Sequence, residues 1–260
     1  MRRIHQTYNT PSGSVHSAVR RASAAVFEQL EGRTLLSAVP VTGGVPALNS
    51  NPGASVKLFL DFDGAPAQTW NNFSAAATPA YDRDGDPTTF NNTGDSNLHT
   101  ELDNIQQIWS RVAEKFSPFN VNVTTVDPGS YGDKQVLRVV VGGAGMWRST
   151  NGWSGAVLEG SFYNSYANTA YVFAENMNGS VNYVADYIAH YAARGFGAYE
   201  QSTYNSNGVK TVAFNNGNSS IAPLLGSATA ASRGLWWNGT SGLAQYDVTT
   251  QKNVPIMQDD

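Results

Sequence analysis

Cysteine is absent from this 260-residue chain. Without thiols the chain forms neither disulfides nor thiolate metal sites, so only His, Asp, Glu and backbone oxygens could hold a metal ion. Apolar runs are short, and none approaches the roughly 20 residues that cross a bilayer, so we expect no membrane span. A positive charge excess is also missing, because 16 Lys and Arg stand against 20 Asp and Glu. Nucleic acid is therefore not an expected partner.

The composition divides the chain into two parts. Hydrophobic residues make up 41% and aromatic residues 11%, which indicates a globular domain. Residues 1–54 differ, since scattered Arg, Ser, Ala, Thr and Pro leave little to bury. We predict that residues 1–54 are a disordered leader and linker and that residues 55–260 form the folded domain.

Within residues 55–260 the periodicity predicts an α+β fold. The β-rich run 56–62 is typical of a first strand, and apolar positions from Leu98 to Phe116 recur at helical spacing before Pro118. Further strands are predicted at 120–126, 135–141, 156–163 and 169–174. A second helix is predicted between residues 178 and 195.

That second helix carries the main functional motif. Residues 188–200 read I-A-H-Y-A-A-R-G-F-G-A-Y-E, and Asp186, His190 and Arg194 lie four apart on one helix face. Three other segments accompany the motif: L-D-F-D-G at 60–64, I-W-x-R-V-A-E-x-F-x-P-F-N-V-N-V-T-T at 108–125, and A-P-L-L-G at 222–226.

Together these segments resemble those of exported bacterial zinc metallopeptidase domains of the metzincin type, from about residue 56 to 260. The resemblance implies a mixed, mostly parallel, twisted sheet with two main helices and an irregular C-terminal subdomain. In that family a tight turn below the zinc ion carries a Met, and a closing helix follows it. Here Leu225 takes the Met position and the sequence stops where the closing helix would begin, so we expect a truncated subdomain.

The family motif is H-E-x-x-H-x-x-G-x-x-H, and most of its chemistry is replaced here. His190 stands at the first zinc-ligand position and Gly197 at the turning glycine. The general-base position holds Tyr191, and the second and third ligand positions hold Arg194 and Glu200. A guanidinium does not bind metal, and its repulsion from Zn²⁺ at about 4 Å costs about 8 kcal/mol at an effective dielectric of about 20. Tyr191, with an ordinary pKa of about 10, is a poor base at neutral pH.

We therefore expect a catalytically inactive domain without a cofactor, in which His190 is a vestigial metal position. His190 is expected to be partly buried and hydrogen-bonded to Asp186, and Arg194 and Glu200 to form an ion pair in place of the ion. The alternative is an active zinc-dependent endopeptidase with an atypical ligand set. It would bind zinc through His190, Glu200 and one unidentified ligand.

The resemblance also implies an edge strand above the motif helix that pairs with the substrate backbone. The candidate positions are Val157, Leu158, Glu159, Gly160 and Ser161. Backbone pairing needs no metal, so an extended polypeptide or a surface protein remains the expected partner even without catalysis.

A cluster of alternate carboxylates, Asp82, Asp84 and Asp86, offers the hard oxygen ligands that calcium prefers. Its glycine does not fall at the sixth position of an EF-hand loop, and no Glu closes a twelve-residue loop. A calcium site and a solvated acidic turn both stay open.

The leader contains a second resemblance. Residues 27–38 read F-E-Q-L-E-G-R-T-L-L-S-A and resemble the FE-x-LE-x-R-x-LLSA segment near the start of many large exported bacterial surface proteins. A basic leader followed by a short apolar patch also suits export. We predict that the protein is secreted or displayed at the cell surface.

Overall fold

The computed structural model describes residues 41–42, 44–83 and 101–258. The strands are β1 Val41–Thr42, β2 Val45–Pro46, β3 Val56–Asp61, β4 Gln68–Trp70, β5 Phe73–Ala75, β6 Val121–Thr124, β7 Val136–Val141, β8 Gly155–Ala156, β9 Thr169–Val172, β10 Thr203–Tyr204, β11 Lys210–Val212, β12 Ile221–Pro223, β13 Arg233–Leu235, β14 Gly239–Asp247 and β15 Lys252–Gln258. The α-helices are α1 Glu101–Phe116 and α2 Val181–Gly195, and short 3₁₀ turns form at Ser161–Tyr163, Ala174–Met177 and Ala228–Ala230.

A five-stranded sheet with the order β6-β3-β7-β9-β8 forms the centre of the domain. β6, β3, β7 and β9 are parallel, and β8 joins the edge of β9 in the antiparallel direction. This confirms the predicted mixed, mostly parallel sheet with two helices.

The alternation of side chains along the strands separates the core into two layers. On one face, Leu58 and Leu60 are fully buried with Ile105 of α1 and Ile188 of α2. On the other face, Tyr171 packs with Trp70 and its neighbours from the β4–β5 hairpin. Each such side chain contributes about 1.5–3 kcal/mol by leaving water. The sheet is therefore covered on both sides and holds its carboxyl ends in fixed positions.

Local signals define both ends of α2. The Ser180 side chain accepts a hydrogen bond from the backbone N–H of Tyr183, which caps the first turn. At the other end the N–H of Ala198 donates to the carbonyl of Ala193, 3.0 Å away, in a Schellman motif. This motif needs a left-handed residue, and Gly197 supplies it with φ +100. Gly197 is thus the residue at which the chain turns out of the helix.

The folded part begins before the predicted boundary at residues 54 and 55. Val45 and Leu48 are buried, and the Leu48 N–H donates to Thr125 Oγ1 at 2.8 Å. Asn49 also forms a bridge with Thr124 at the outer strand of the sheet. Residues 44–54 thus extend the core rather than link to it.

The predicted strand 156–163 is wrong beyond Ala156. Only Gly155–Ala156 pairs with β9, and the chain then forms a turn and a 3₁₀ helix at Ser161–Tyr163. The cause is a long-range contact, because the Gly160 N–H donates to the carbonyl of Arg194 at 2.9 Å. This hydrogen bond holds the segment against the C-terminal end of α2, away from the sheet.

Residues 201–258 are more regular than predicted. They form three two-stranded sheets, β10–β11, β12–β13 and β14–β15. The hairpin β14–β15 pairs Tyr246 with Asn253, and a helix does not form there.

Several predictions lie outside the described residues. These are the export-like segment 27–38, residues 98–100 at the start of the first predicted helix, and Asp84 and Asp86 of the acidic cluster. In the part of the chain that is described, no helix has both the length and the apolar character of a membrane span.

Candidate functional site

A cleft of about 510 Å³ lies between α2 and the edge strand β8. α2 lines it with Tyr187, His190, Tyr191 and Arg194, and residues 153–158 line it from the edge of the sheet. Aromatic rings of Trp70, Phe73 and Phe214 add to its surface. The residues of the helix motif and part of the predicted substrate segment therefore meet in one cavity.

His190 is a buried, neutral histidine in this cleft. Its side chain is mostly enclosed, with the residue 5% exposed, and burial lowers its pKa to about 4. Nδ1 lies 2.9 Å from the carbonyl of Leu224, which can only accept, so Nδ1 carries the proton. Nε2 is then an unprotonated acceptor, and no hydrogen bond from the described residues reaches it.

The expected hydrogen bond between His190 and Asp186 is not formed. Asp186 pairs instead with Lys115 of α1, with 2.8 Å between Oδ1 and Nζ. Lys115 also donates to the carbonyl of Gly234 at 2.9 Å. The carboxylate is thus used for packing α2 against α1, while the histidine binds the turn at Leu224.

Arg194 is held by two carboxylates. The predicted pair with Glu200 is present, with 3.5 Å between Nη2 of Arg194 and Oε2 of Glu200, and Nη2 also donates to Glu159. The backbone of Arg194 takes part as well, since its carbonyl accepts the N–H of Gly160. Arg194 therefore fastens the segment after β8 to the end of α2.

The residues present do not fit a zinc ion. The residue that the resemblance predicts at the second ligand position, Arg194, carries a guanidinium, and Glu200, predicted at the third position, is its ion-pair partner. Within the described ranges, no three His, Asp or Glu side chains come close enough to hold a metal ion. Only His190 keeps the arrangement of a ligand, because a carbonyl orients its ring through Nδ1.

Tyr191 connects the helix to the edge strand. Its hydroxyl lies 3.0 Å from Ser154 Oγ, and its ring closely approaches Gly155, where an added Cβ would meet Cε2 at 2.4 Å. Burial raises the pKa of Tyr191, so the phenol stays protonated at neutral pH. The side chain is a structural link at the position that the resemblance predicts for the general base.

The buried residue Gly155 of the edge strand lines the cleft with backbone groups that the sheet does not use. The carbonyl of Ser154 accepts from the N–H of Phe173, which makes this pair hydrogen-bonded. Such pairs alternate in an antiparallel ladder, so the next pair, Gly155 with Val172, is the non-bonded one. The N–H and carbonyl of Gly155 therefore point away from β9, and in the described part no strand lies beyond β8.

The turn at 222–226 lies against α2 as a support for the histidine. Leu224 and Leu225 are fully buried, and the Leu225 carbonyl accepts the N–H of Gln201 at 2.8 Å. The turn that was predicted to hold the Met position therefore lies next to His190, and the Leu224 carbonyl makes the contact.

The predicted substrate residues separate into three groups. Val157 and Leu158 line the cleft, Glu159 binds Arg194, and Gly160 and Ser161 belong to the turn that leaves it. Of the acidic cluster only Asp82 is described, so the calcium hypothesis stays a prediction.

Sequence reasoning missed Arg148 and the aromatic residues around it. The guanidinium carbon of Arg148 lies 4.6 Å from the ring centroid of Trp153 and 4.7 Å from that of Phe73. One signal was available: residues 142–154 follow the carboxyl end of the parallel strand β7, where polar side chains commonly meet ligands.

Comparisons of the chain with protein-family models, with curated proteins and with solved structures give no match.

Proposed function

We propose that this domain binds an extended polypeptide in the cleft between α2 and β8 and does not cleave it. The observation that carries this proposal is the sheet edge at Gly155, a buried residue of the cleft lining whose backbone donor and acceptor point away from β9. An extended segment adds to such an edge as a further strand. The domain would then be a metzincin-like metallopeptidase relative that keeps substrate binding alone.

The shape and lining of the cleft support a polypeptide ligand. Its volume of about 510 Å³ lies in the range of ligand-binding cavities. Aromatic and aliphatic surfaces from Phe214, Val157 and Leu158 offer apolar contacts for alternate side chains of a bound strand. Backbone pairing would give affinity and these surfaces would give selectivity.

The chemistry around α2 argues against cleavage. Arg194 keeps a permanent positive charge at the second ligand position, and Tyr191 is a protonated phenol at the base position. Peptide hydrolysis by a zinc enzyme needs an open metal site and a base that takes a proton from the bound water. These residues supply neither.

One observation favours the alternative of a working zinc endopeptidase. The Nδ1–H of His190 donates to the Leu224 carbonyl, which leaves Nε2 free for a metal, as in many zinc sites. That reading requires Arg194 to leave both carboxylates so that Glu200 becomes a ligand. We therefore rank it second.

Metal analysis decides between the two. Purified protein is dialysed and its zinc content is measured, and then cleavage of unfolded casein is followed with zinc added. We expect far less than one zinc per chain and no cleavage. One zinc per chain that His190→Ala removes, together with cleavage that the same substitution abolishes, would establish the alternative.

Binding is tested separately by amide hydrogen exchange in the presence of excess unfolded casein. We expect slower exchange at Gly155, with no change in β10 and β11, which do not line the cleft. Unchanged exchange at Gly155 under saturating casein would reject the strand-addition model. The proposed secretion or surface display depends only on residues 27–38 and needs its own test by fractionation of cells.

A further inference from the structure

Arg148 lies in the wall of the cleft. Its guanidinium lies over the rings of Trp153 and Phe73, and none of the ion pairs of the described residues includes it. Its Nε–H is buried and has no acceptor within the described ranges. A buried donor without a partner is costly, and no acceptor of the described residues offsets this cost.

Two other arginines of the domain do have carboxylate partners. Arg138 donates two hydrogen bonds to the buried Asp61, and Arg233 pairs with Glu114 at 2.9 Å. Arg138 also lies over an aromatic ring, 4.9 Å from the Tyr131 centroid, but its donors are used by Asp61. Arg148 differs from both because its guanidinium lies over two aromatic rings and no carboxylate of the described residues pairs with it.

The part of the cleft that Arg194 lines has the other sign. Glu159 and Glu200 both pair with Arg194, so the three side chains together carry one net negative charge. An acidic ligand group is repelled near Arg194 and attracted near Arg148. This difference would fix the register of a bound strand.

We infer that the cleft selects extended peptides that carry an Asp or Glu side chain over Arg148. The inference rests on the proposed function and names its ligand class. A carboxylate matches the fork of donors on a guanidinium in two parallel hydrogen bonds, and the aromatic rings hold the fork in one plane. An amide or hydroxyl accepts one such bond and brings no charge.

The probes are fluorescein-labelled peptides that share one extended Thr, Ser and Val host sequence. Each set consists of three peptides that differ at one position, which is Glu, Gln or Lys. Different sets place this residue at different positions of the host sequence. Binding to the full chain is measured by fluorescence anisotropy. At the best position we expect the Glu peptide to bind about tenfold more tightly than the Gln peptide, the change expected for a charged hydrogen bond. The Lys peptide should bind more weakly than both.

Substitutions assign the preference to Arg148. Arg148→Gln should remove the difference in affinity between the Glu and Gln peptides. Arg148→Lys should keep part of the preference, and Arg233→Gln, which changes an arginine outside the cleft lining, should keep all of it. If Arg148→Gln fails to fold, added salt replaces the substitution, because screening weakens a preference that depends on charge.

The outcomes separate this inference from the proposed function. Equal binding of the Glu and Gln peptides, or a preference that survives both Arg148→Gln and high salt, overturns the inference while peptide binding itself stands. Failure of every peptide in the sets to bind would reject the proposed function and the inference together.

Discussion

At the residue scale, His190 links the cleft to the stability of the fold. Burial lowers its pKa to about 4, and the nearby Arg194 guanidinium acts in the same direction. In the unfolded chain the pKa of a histidine is about 6.5, so only the unfolded state takes up the proton as the pH falls from 6.5 to 4. Protonation of the unfolded state therefore destabilises the wild-type protein in this window.

We predict that the free energy of unfolding of wild type falls relative to that of His190→Gln by about 3 kcal/mol between pH 6.5 and pH 4. Urea titrations of both proteins at several pH values measure this difference. Burial raises the pKa of Asp61 to about 6, but that carboxyl is common to both proteins and cancels. If the free energies of unfolding of the two proteins change in parallel with pH, the pKa of His190 is the same in the folded and unfolded states, and the prediction is wrong.

Arg194 gives a second prediction at this scale. Removing its guanidinium leaves Glu159 and Glu200 facing each other without a cation. Because Glu159 is 40% exposed, solvent screens much of the effect, and we expect Arg194→Met to cost about 1 kcal/mol in thermal unfolding. Changing both glutamates to Gln in the same protein should recover most of that loss. A loss of the same size with and without the glutamates would mean that packing alone is responsible.

At the scale of elements, the cleft depends on how β8 is held between β9 and α2. A Cβ at Gly155 would meet the Tyr171 carbonyl oxygen at 2.3 Å and the Tyr191 ring at 2.4 Å. We predict that Gly155→Ala lowers the free energy of unfolding by about 2 kcal/mol, since neither neighbour can move freely. Gly53→Ala is the matched control, because nothing lies within 4 Å of its added Cβ. Equal melting temperatures for the two variants would contradict this close packing.

The elements with a strong period could be predicted from the sequence, and those fixed by distant contacts could not. α1, α2 and the parallel strands follow apolar patterns that the core enforces. The segment after Ala156 is equally apolar, but its path depends on the bond from Gly160 to the distant Arg194 carbonyl. The β14–β15 hairpin was missed because its strands are mostly exposed and carry little alternation.

The same limit applies to the site. The helical spacing placed His190, Tyr191 and Arg194 on α2, and the structure brings all three to the cleft. Spacing on one helix cannot show whether a side chain already interacts with another element. Asp186 is an example, because it forms an ion pair with Lys115 of α1 instead of a hydrogen bond with His190. Arg148 lies in a loop, where no period exists to mark it.

At the scale of the whole molecule, the resemblance to metzincins predicts that the zinc site can be rebuilt. Tyr191→Glu, Arg194→His and Glu200→His together supply the base position and two ligands beside His190, whose Nε2 is already free. We expect the triple variant to bind one zinc ion in a calorimetric titration and the wild type to bind none. The variant also loses the Tyr191–Ser154 and Arg194–Glu159 contacts, so its proteolysis should stay weak.

The double variant that keeps Arg194 is the control, because its guanidinium still repels the ion. It should not bind zinc. If the triple variant folds and also takes up no zinc, these positions do not converge as they do in metzincins, and the resemblance fails.

The central claim is that the cleft binds polypeptide without cutting it. The most direct measurement is the anisotropy of fluorescein-labelled casein, mixed with the wild-type protein and excess zinc and followed for hours. Anisotropy rises when the casein is bound and falls below its starting value when it is cut into fragments. We predict a rise in anisotropy that stays constant and is not changed by a chelator. A fall that the chelator prevents, or a signal that never rises, would contradict it.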